Sequence, residues 1–279
     1  MGSRPLPNCK YLMLALDHRD GFKKLMSPEN PNLASKERAI EYKKQILESL
    51  RDKFSACLID EDYGLPAYKS ITPPITTPYL LPIEDTGYRN EDGERITVVK
   101  KTVEQLKDLG ASAVKLLVYF CPNSKSSNMQ IETAKKIVQD SHENGLPVFL
   151  EIVTYNSNLE DRVYNSIKEF LKEGVKPDVF KIEFPGSEQQ CISVTKLLGD
   201  TPWILLTKGT DYSMFCDQLE IASKNGCQGF LAGRSLWQEL LNMKDGKEKE
   251  IFLKDTLPSR FDEIKNIVNS YTTQNEISI

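Results

Sequence analysis

Eight short apolar runs punctuate the 279-residue chain, and stretches with helical spacing fill most of the gaps between them. The runs are YLMLALD (11–17), ACLIDE (56–61), PYLLPIE (78–84), SAVKLLVYF (112–120), PVFLEIVTY (147–155), VFKIEFPG (179–186), PWILLTKG (202–209) and GFLAGRSLW (229–237). Runs this short, rich in aliphatic and aromatic residues, read as strands. Between them lie SKERAIEYKKQILESLRDKF, ITVVKKTVEQLKDLG, IETAKKIVQDSHENG and LEDRVYNSIKEFLKEG, amphipathic segments of which several stop at Gly, a common helix terminator; SRFDEIKNIVNSY adds a last helix. Strands that are nearly continuous in apolar residues are buried on both faces, the habit of parallel sheets covered by helices. The expected fold is therefore α/β, a (β/α)8 TIM barrel forming a single domain over residues 1–279. A doubly wound open sheet fits less well, because the first strand runs into LDHRDGF where that fold places GxGxxG. The weakest unit is the second, where GLPAYKSITPPITT offers only a short, proline-rich helix.

The charge balance narrows the partners. A net charge of −4, with Lys and Arg spread along the chain, leaves no basic stripe, so nucleic acid is not an expected partner. The six cysteines (9, 57, 121, 191, 216 and 227) form no CxxC pair and no close framework; reduced thiols are expected, not a disulfide scaffold or a zinc ribbon. No segment reaches the length of a membrane span, and the N-terminal apolar run ends in charges without a cleavage site. Gly2 does not complete a myristoylation signal, since Leu6 stands where Ser or Thr is needed and Pro7 follows. A soluble, cytoplasmic protein without a membrane partner is expected.

In a barrel of this type the chemistry gathers at the C-terminal strand ends. Many polar residues fall there: Asp17, His18, Arg19, Asp60, Glu61, Asp62, Glu84, Lys208 and Arg234. Lys115, Glu151 and Lys181 are different, because they lie within three successive strands. By strand alternation Lys115 shares a face with Ala113, Leu117 and Tyr119, and Glu151 with Phe149, Val153 and Tyr155; Lys181 shares one with Val179 and Glu183. All three charges should point into the barrel. An isolated buried charge costs several kcal/mol, so three on neighbouring strands demand mutual pairing or a chemical use. A self-satisfied Lys-Glu-Lys network is the structural alternative. The chemical reading is a nucleophilic amine at Lys181, kept neutral by burial and by the neighbouring Lys115 cation, with a carboxylate to shuttle protons.

Metal chemistry is harder to assemble from histidine, of which the chain has two: His18 at the first strand end and His142 in a helical segment, where a solvated surface position is expected. An all-carboxylate Mg²⁺ site from Asp17, Asp60, Glu61 and Glu84 stays open as an unspecific alternative. The seventh and eighth strand ends, LLTKGTD and LAGRSLW, carry Gly209, Gly233 and Arg234. Backbone N–H groups beside glycines, a helix N-terminus and a guanidinium suit a phosphate. With an imine-forming lysine, that pocket suggests a phosphorylated ketose.

The motifs LALDHR, DEDYGLPA, EDTGY, AVKLLVYF, FLEIVTY, DVFKIEFPG and AGRSLW, in register from about Leu14 to Trp237, resemble the class I tagatose 1,6-bisphosphate aldolase family. The related sulfofructose-phosphate aldolases and class I deoxy-ketogluconate-phosphate aldolases share the layout. The resemblance implies Lys181 as the Schiff-base lysine, Glu151 as acid/base, Lys115 and Asp17 as their companions, and a phosphate near Gly209, Gly233 and Arg234. His18 and Lys208 depart from the family pattern of Gln and a small residue, and with Arg19 they are assigned to substrate binding. Arg19, Lys69, Arg89 and Lys208 are the candidates for the substrate's far end.

The implied reaction is retro-aldol cleavage of a ketose phosphate to dihydroxyacetone phosphate and an aldehyde, with no metal or organic cofactor, in a possible homo-oligomer. Two other readings use the same residues: a phosphosugar isomerase or epimerase with Glu151 and Glu183 as bases, and a non-catalytic sugar-phosphate sensor in which Lys181 only binds charge.

Overall fold

Strand β1 (Tyr11–Leu16) pairs in parallel with both β2 (Ala56–Ile59) and β8 (Gly229–Ala232), and this double pairing closes the sheet. The architecture is that of a computed structural model describing residues 10–156 and 161–272. Between those neighbours run β3 (Tyr79–Pro82), β4 (Ala113–Phe120), β5 (Val148–Thr154), β6 (Val179–Ile182) and β7 (Trp203–Leu206), all parallel, giving the eight-stranded barrel. Helices α1 (Lys36–Ser49), α2 (Gly64–Lys69), α3 (Val103–Asp108), α4 (Ser127–Glu143), α5 (Arg162–Lys172), α6 (Glu188–Leu198) and α7 (Tyr212–Lys224) follow successive strands, and α8 (Leu257–Thr272) ends the described chain. Short helices, Asp20–Met26 and Arg234–Trp237, lie directly after β1 and β8.

Local chemistry sets the helix starts. Ser35, Ser187 and Asp211 accept backbone N–H bonds from Arg38, Gln190 and Met214, each three residues on, and Thr102 forms a reciprocal capping box with Gln105. Gly229 meets a different requirement. At φ +144° its backbone passes so close to β1 that a Cβ would lie 2.1 Å from the Tyr11 carbonyl oxygen, so only glycine admits this closure.

Alternation divides the strands between two apolar environments. Met13, Ala15, Leu58, Leu80, Ala113, Phe149, Val179, Ile204 and Leu231 fill the inside of the barrel. Leu14, Leu16, Ile59, Leu81, Leu116, Leu150, Phe180, Leu205 and Phe230 face outward and are buried under the helices. Buried on both faces, the strands read as continuous apolar runs.

Several expected strands are too long. β6 stops at Ile182 and β8 at Ala232, and the RSLW segment is helical, because the inner layer becomes polar and the ladder opens into loops there. A hairpin, Arg89–Glu91 with Glu94–Ile96, was not expected; it ends at Ile96, the first residue of the segment read as a helix, and the helix itself begins only at Val103. The second helix is short, as expected. Cys9, Gly2 and residues 159–160 of the fourth amphipathic stretch lie outside the described residues. Cysteines 57, 121, 191, 216 and 227 are free. Among the described residues, no helix is long and apolar enough to cross a membrane.

Candidate active site

One alternation step above the apolar filling, the inward positions turn polar. Asp17 follows β1, Glu84 follows β3, and Lys115, Glu151 and Lys181 sit on β4, β5 and β6. Glu151 and Lys181 are paired directly across β5 and β6, which sets them side by side on the inner face. These five line a cavity of about 470 Å³, with His18, Arg19, Lys208, Gly233 and Arg234 around it.

Lys115 is the centre of the group. Its Nζ lies 2.5 Å from Glu84 Oε1, 3.1 Å from Glu151 Oε2 and 3.3 Å from Asp17 Oδ2. Burial opposes its charge, but Glu151, Glu84 and Asp17 outweigh burial and raise the amine well above its ordinary range. Lys181 Nζ is 2.9 Å from Glu151 Oε2, so its closest charged neighbour is a proton acceptor. The Lys115 cation reaches it only through that shared carboxylate, which differs from the surroundings of apolar groups and a bare cation expected from alternation. Burial pushes Glu151 up, yet Lys115 and Lys181 hold it below the ordinary carboxylate range. Asp17 is held lower still, because Lys115, His18 and Lys181 override its burial. Glu84 goes the other way: burial dominates and Lys115 offsets it only in part, so its carboxyl is raised.

His18 is packed edge-on against Trp237, with ring centroids 5.3 Å apart, and burial holds its imidazole down to about 4 although Asp17 pulls the other way. The ring is neutral near pH 7. Its Cε1 lies 3.2 Å from where a Cβ of Gly233 would stand, so the glycine makes room for the imidazole. Arg234 lies beneath Gly209, with Nη2 3.0 Å from the place of a Gly209 Cβ. Among the described residues, no carboxylate pairs with the Arg234 guanidinium. Lys208, in a left-handed conformation at φ +49°, is half exposed and reaches Glu183 Oε1 at 2.9 Å.

Behind the cavity, Lys43 of α1 is fully buried against Asp60 and also donates to the carbonyls of Leu16 at 2.7 Å and His18 at 2.8 Å. Asp60 in turn accepts the Tyr63 and Gly64 N–H groups at the start of α2. This pair clamps the loop that carries Asp17 and His18.

The expected site residues therefore come together: Lys181, Glu151, Lys115 and Asp17 inside, with His18, Arg19, Lys208, Gly209, Gly233 and Arg234 at the mouth. Other readings separate. Glu183 is not Lys181's partner; the strand has ended, and the carboxylate turns to the Thr154 N–H (3.1 Å) and Oγ1 (2.9 Å). Of the four carboxylates considered for a cation, Asp60 faces Lys43 and Glu61 faces Lys101, leaving Asp17 and Glu84 at the cavity. Lys69 is exposed on α2, and Arg89 pairs with Glu91, so neither reaches the mouth; Arg19 does, donating to the Glu84 carbonyl at 3.0 Å. His142 is half exposed and contacts Asp178. Sequence reasoning missed the specific partnership of Glu84 with Lys115 and the Lys43 clamp. Glu84 carried a faint signal, its inward parity two residues beyond Pro82; Lys43, inside a helix crowded with charges, carried none.

A closed parallel barrel with two lysines and three carboxylates layered beneath its C-terminal rim is a (β/α)8 barrel whose charged cavity lies where enzymes of this fold carry their chemistry. The sequence pattern of the DeoC/LacD family aldolases matches residues 11–239, and the chain belongs to that family. It is thus an aldolase, a carbon–carbon lyase. It is 29% identical to tagatose 1,6-diphosphate aldolase 1 of Streptococcus mutans, with 85% of this chain and 82% of that one covered. It is 30% identical to tagatose 1,6-diphosphate aldolase 2 of the same organism, covering 84% and 82%. The fold is shared with an archaeal fructose-1,6-bisphosphate aldolase whose catalytic Lys was captured bound to a carbinolamine intermediate, at TM-score 0.67 and 20% identity over 93% of this chain and 94% of that one.

Proposed function

We propose that this protein is a class I, Schiff-base-forming aldolase that cleaves a phosphorylated ketose, such as tagatose 1,6-bisphosphate or a related ketose 1-phosphate, to dihydroxyacetone phosphate and an aldehyde. The observation that carries the reading is the contact of Lys181 Nζ with Glu151 Oε2 at 2.9 Å inside the cavity, in a chain of this family. The names of its S. mutans relatives support the tagatose bisphosphate substrate.

In this mechanism Lys181 passes a proton to Glu151 and its free amine adds to the C2 ketone. The C2 oxygen takes that proton back from Glu151 and then a second one, which Glu151 relays from the newly bonded nitrogen; it leaves as water and yields the iminium. The carboxylate then takes the C4 hydroxyl proton, the C3–C4 electron pair moves into the iminium, and the aldehyde departs. Protonation of the enamine at C3 and hydrolysis release dihydroxyacetone phosphate and restore the lysine. Lys115 holds Glu151 in its charged form, and Asp17 helps to keep Lys115 in position. Arg234, with backbone groups at Gly209 and Gly233, takes the phosphate; His18, Arg19 and Lys208 contact the rest of the sugar. No metal or organic cofactor takes part. The isomerase reading loses its second base, because Glu183 is engaged by Thr154 and Lys208. The reading also includes cytoplasmic location and a symmetric homo-oligomer, for which light scattering in solution is the check.

Borohydride reduction in the presence of dihydroxyacetone phosphate should leave a covalent adduct on Lys181, located by peptide mass spectrometry, and chelator should leave turnover unchanged. No adduct, or an adduct elsewhere, overturns the assignment.

A further inference from the structure

Glu84 is the buried group at the cavity to which the mechanism gives no role. It is only 5% exposed and lines the cavity. Its two oxygens are treated differently: Oε1 accepts from Lys115 at 2.5 Å, whereas Oε2 is buried with no hydrogen-bond partner on another of the described residues, and the backbone N–H of Glu84 itself adds a weaker pull toward the charged form. A buried carboxylate anion needs donors at both oxygens, and leaving one bare is costly. A carboxylic acid needs something else at that position, an acceptor for its own O–H.

Charge balance agrees with the second description. Lys115, on β4, meets Glu84, Asp17 at the end of β1 and Glu151 on β5. Arg19 donates to the main-chain carbonyl of Glu84 and directs its charge toward Asp85 at 3.8 Å, and the Tyr119 phenol lines the same cavity. With Lys181 charged against Glu151, the five groups in mutual contact, two lysines and three carboxylates, sum to zero only if one carboxyl is protonated; the Arg234 guanidinium lies apart from them, beside Gly209. After the proton has moved from Lys181 to Glu151, the same count again requires one further proton. Asp17 and Glu151 are held in their charged forms, and burial pushes Glu84 the opposite way.

We infer that Glu84 is a further catalytic residue, standing in the free enzyme as a neutral carboxylic acid whose Oε2–H donates a hydrogen bond to a hydroxyl oxygen of the bound ketose. Its contact with substrate rests on the aldolase reading; its neutrality does not. No proton leaves Glu84 in this role. It anchors the polyol chain opposite Lys181 while its other oxygen keeps Lys115 in place between Asp17 and Glu151.

The test is infrared difference spectroscopy of the full-length, unliganded protein at neutral pH, native minus Glu84→Gln. A protonated-carboxyl C=O band present in the native protein and absent from the variant is the expected result. In steady-state kinetics, Glu84→Gln keeps a neutral donor and should lower kcat/KM less than about tenfold. Glu84→Ala should lower it about 100-fold or more, roughly the loss of one buried hydrogen bond with its partner left bare. A missing band in the native protein, a band that persists in Glu84→Gln, or equal impairment of the two variants would overturn the proposal. Borohydride trapping on the native protein separates the two readings, since its failure removes the Schiff base and leaves the infrared result standing.

Discussion

Lys115 brings three carboxylates within 3.3 Å of one nitrogen, and each neighbouring protonation state follows from that density of charge. In the proposed reaction a cation so engaged is not the nucleophile; it keeps Glu151 anionic and able to accept the Lys181 proton. The division of labour between the two lysines thus comes from their partners, three for one and a single shared carboxylate for the other. General acid/base help is worth about 10²- to 10⁴-fold, so Glu151→Gln should slow turnover by a factor in that range yet still form some borohydride-trapped adduct. Lys181→Met should abolish both turnover and adduct. Measuring kcat and trapped protein for each variant distinguishes them, and full activity in Lys181→Met would remove the nucleophile from the scheme.

At the scale of elements, α1 does more than cover the barrel. Through Lys43 it holds the carbonyls of Leu16 and His18 and, through Asp60, the first turn of α2. Truncating one partner of a fully buried ion pair leaves an uncompensated charge and costs about 3–5 kcal/mol. Lys43→Met should therefore lower the unfolding free energy by about that amount in a urea titration, and Lys43→Met combined with Asp60→Leu should recover part of the loss. A single variant as stable as the native protein would show that the Lys43–Asp60 pair does not hold this loop in place. The close approach of β8 to β1 at Gly229 is the other point where elements constrain each other, since any side chain there meets the Tyr11 backbone.

At the scale of the whole molecule, the buried charges couple stability to pH. His18 is held down to about 4 from an ordinary 6.5, so the unfolded chain binds its proton more readily than the folded one. That contribution to stability is present above pH 6.5 and is lost as pH falls toward 4. Asp17 and Glu151, also held low, extend the loss further into acid, while raised Glu84 works against it by favouring the folded state at low pH. The melting temperature should decline through this window, and His18→Gln, which cannot titrate, should flatten the decline between pH 6.5 and 4. An unchanged slope in the variant would place the acid sensitivity elsewhere.

Barrel closure, the inner layer of apolar residues and the inward aim of Lys115, Glu151 and Lys181 were legible in the chain, because alternation along a strand is a local property repeated every two residues. The same alternation misled at Glu183, where the strand had ended and the side chain answered to Thr154 and Lys208 instead. The link between Glu84 and Lys115 crosses 31 residues, and that between Lys43 and Asp60 crosses 17. No periodicity within either segment encodes such a meeting. Hydrophobic patterning by itself determined the kind of fold and the face on which the reactive groups lie. Tertiary structure alone decided which carboxylate each lysine meets, because those distances depend on strand register and closure of the sheet, and at these depths a few ångströms determine where each proton resides.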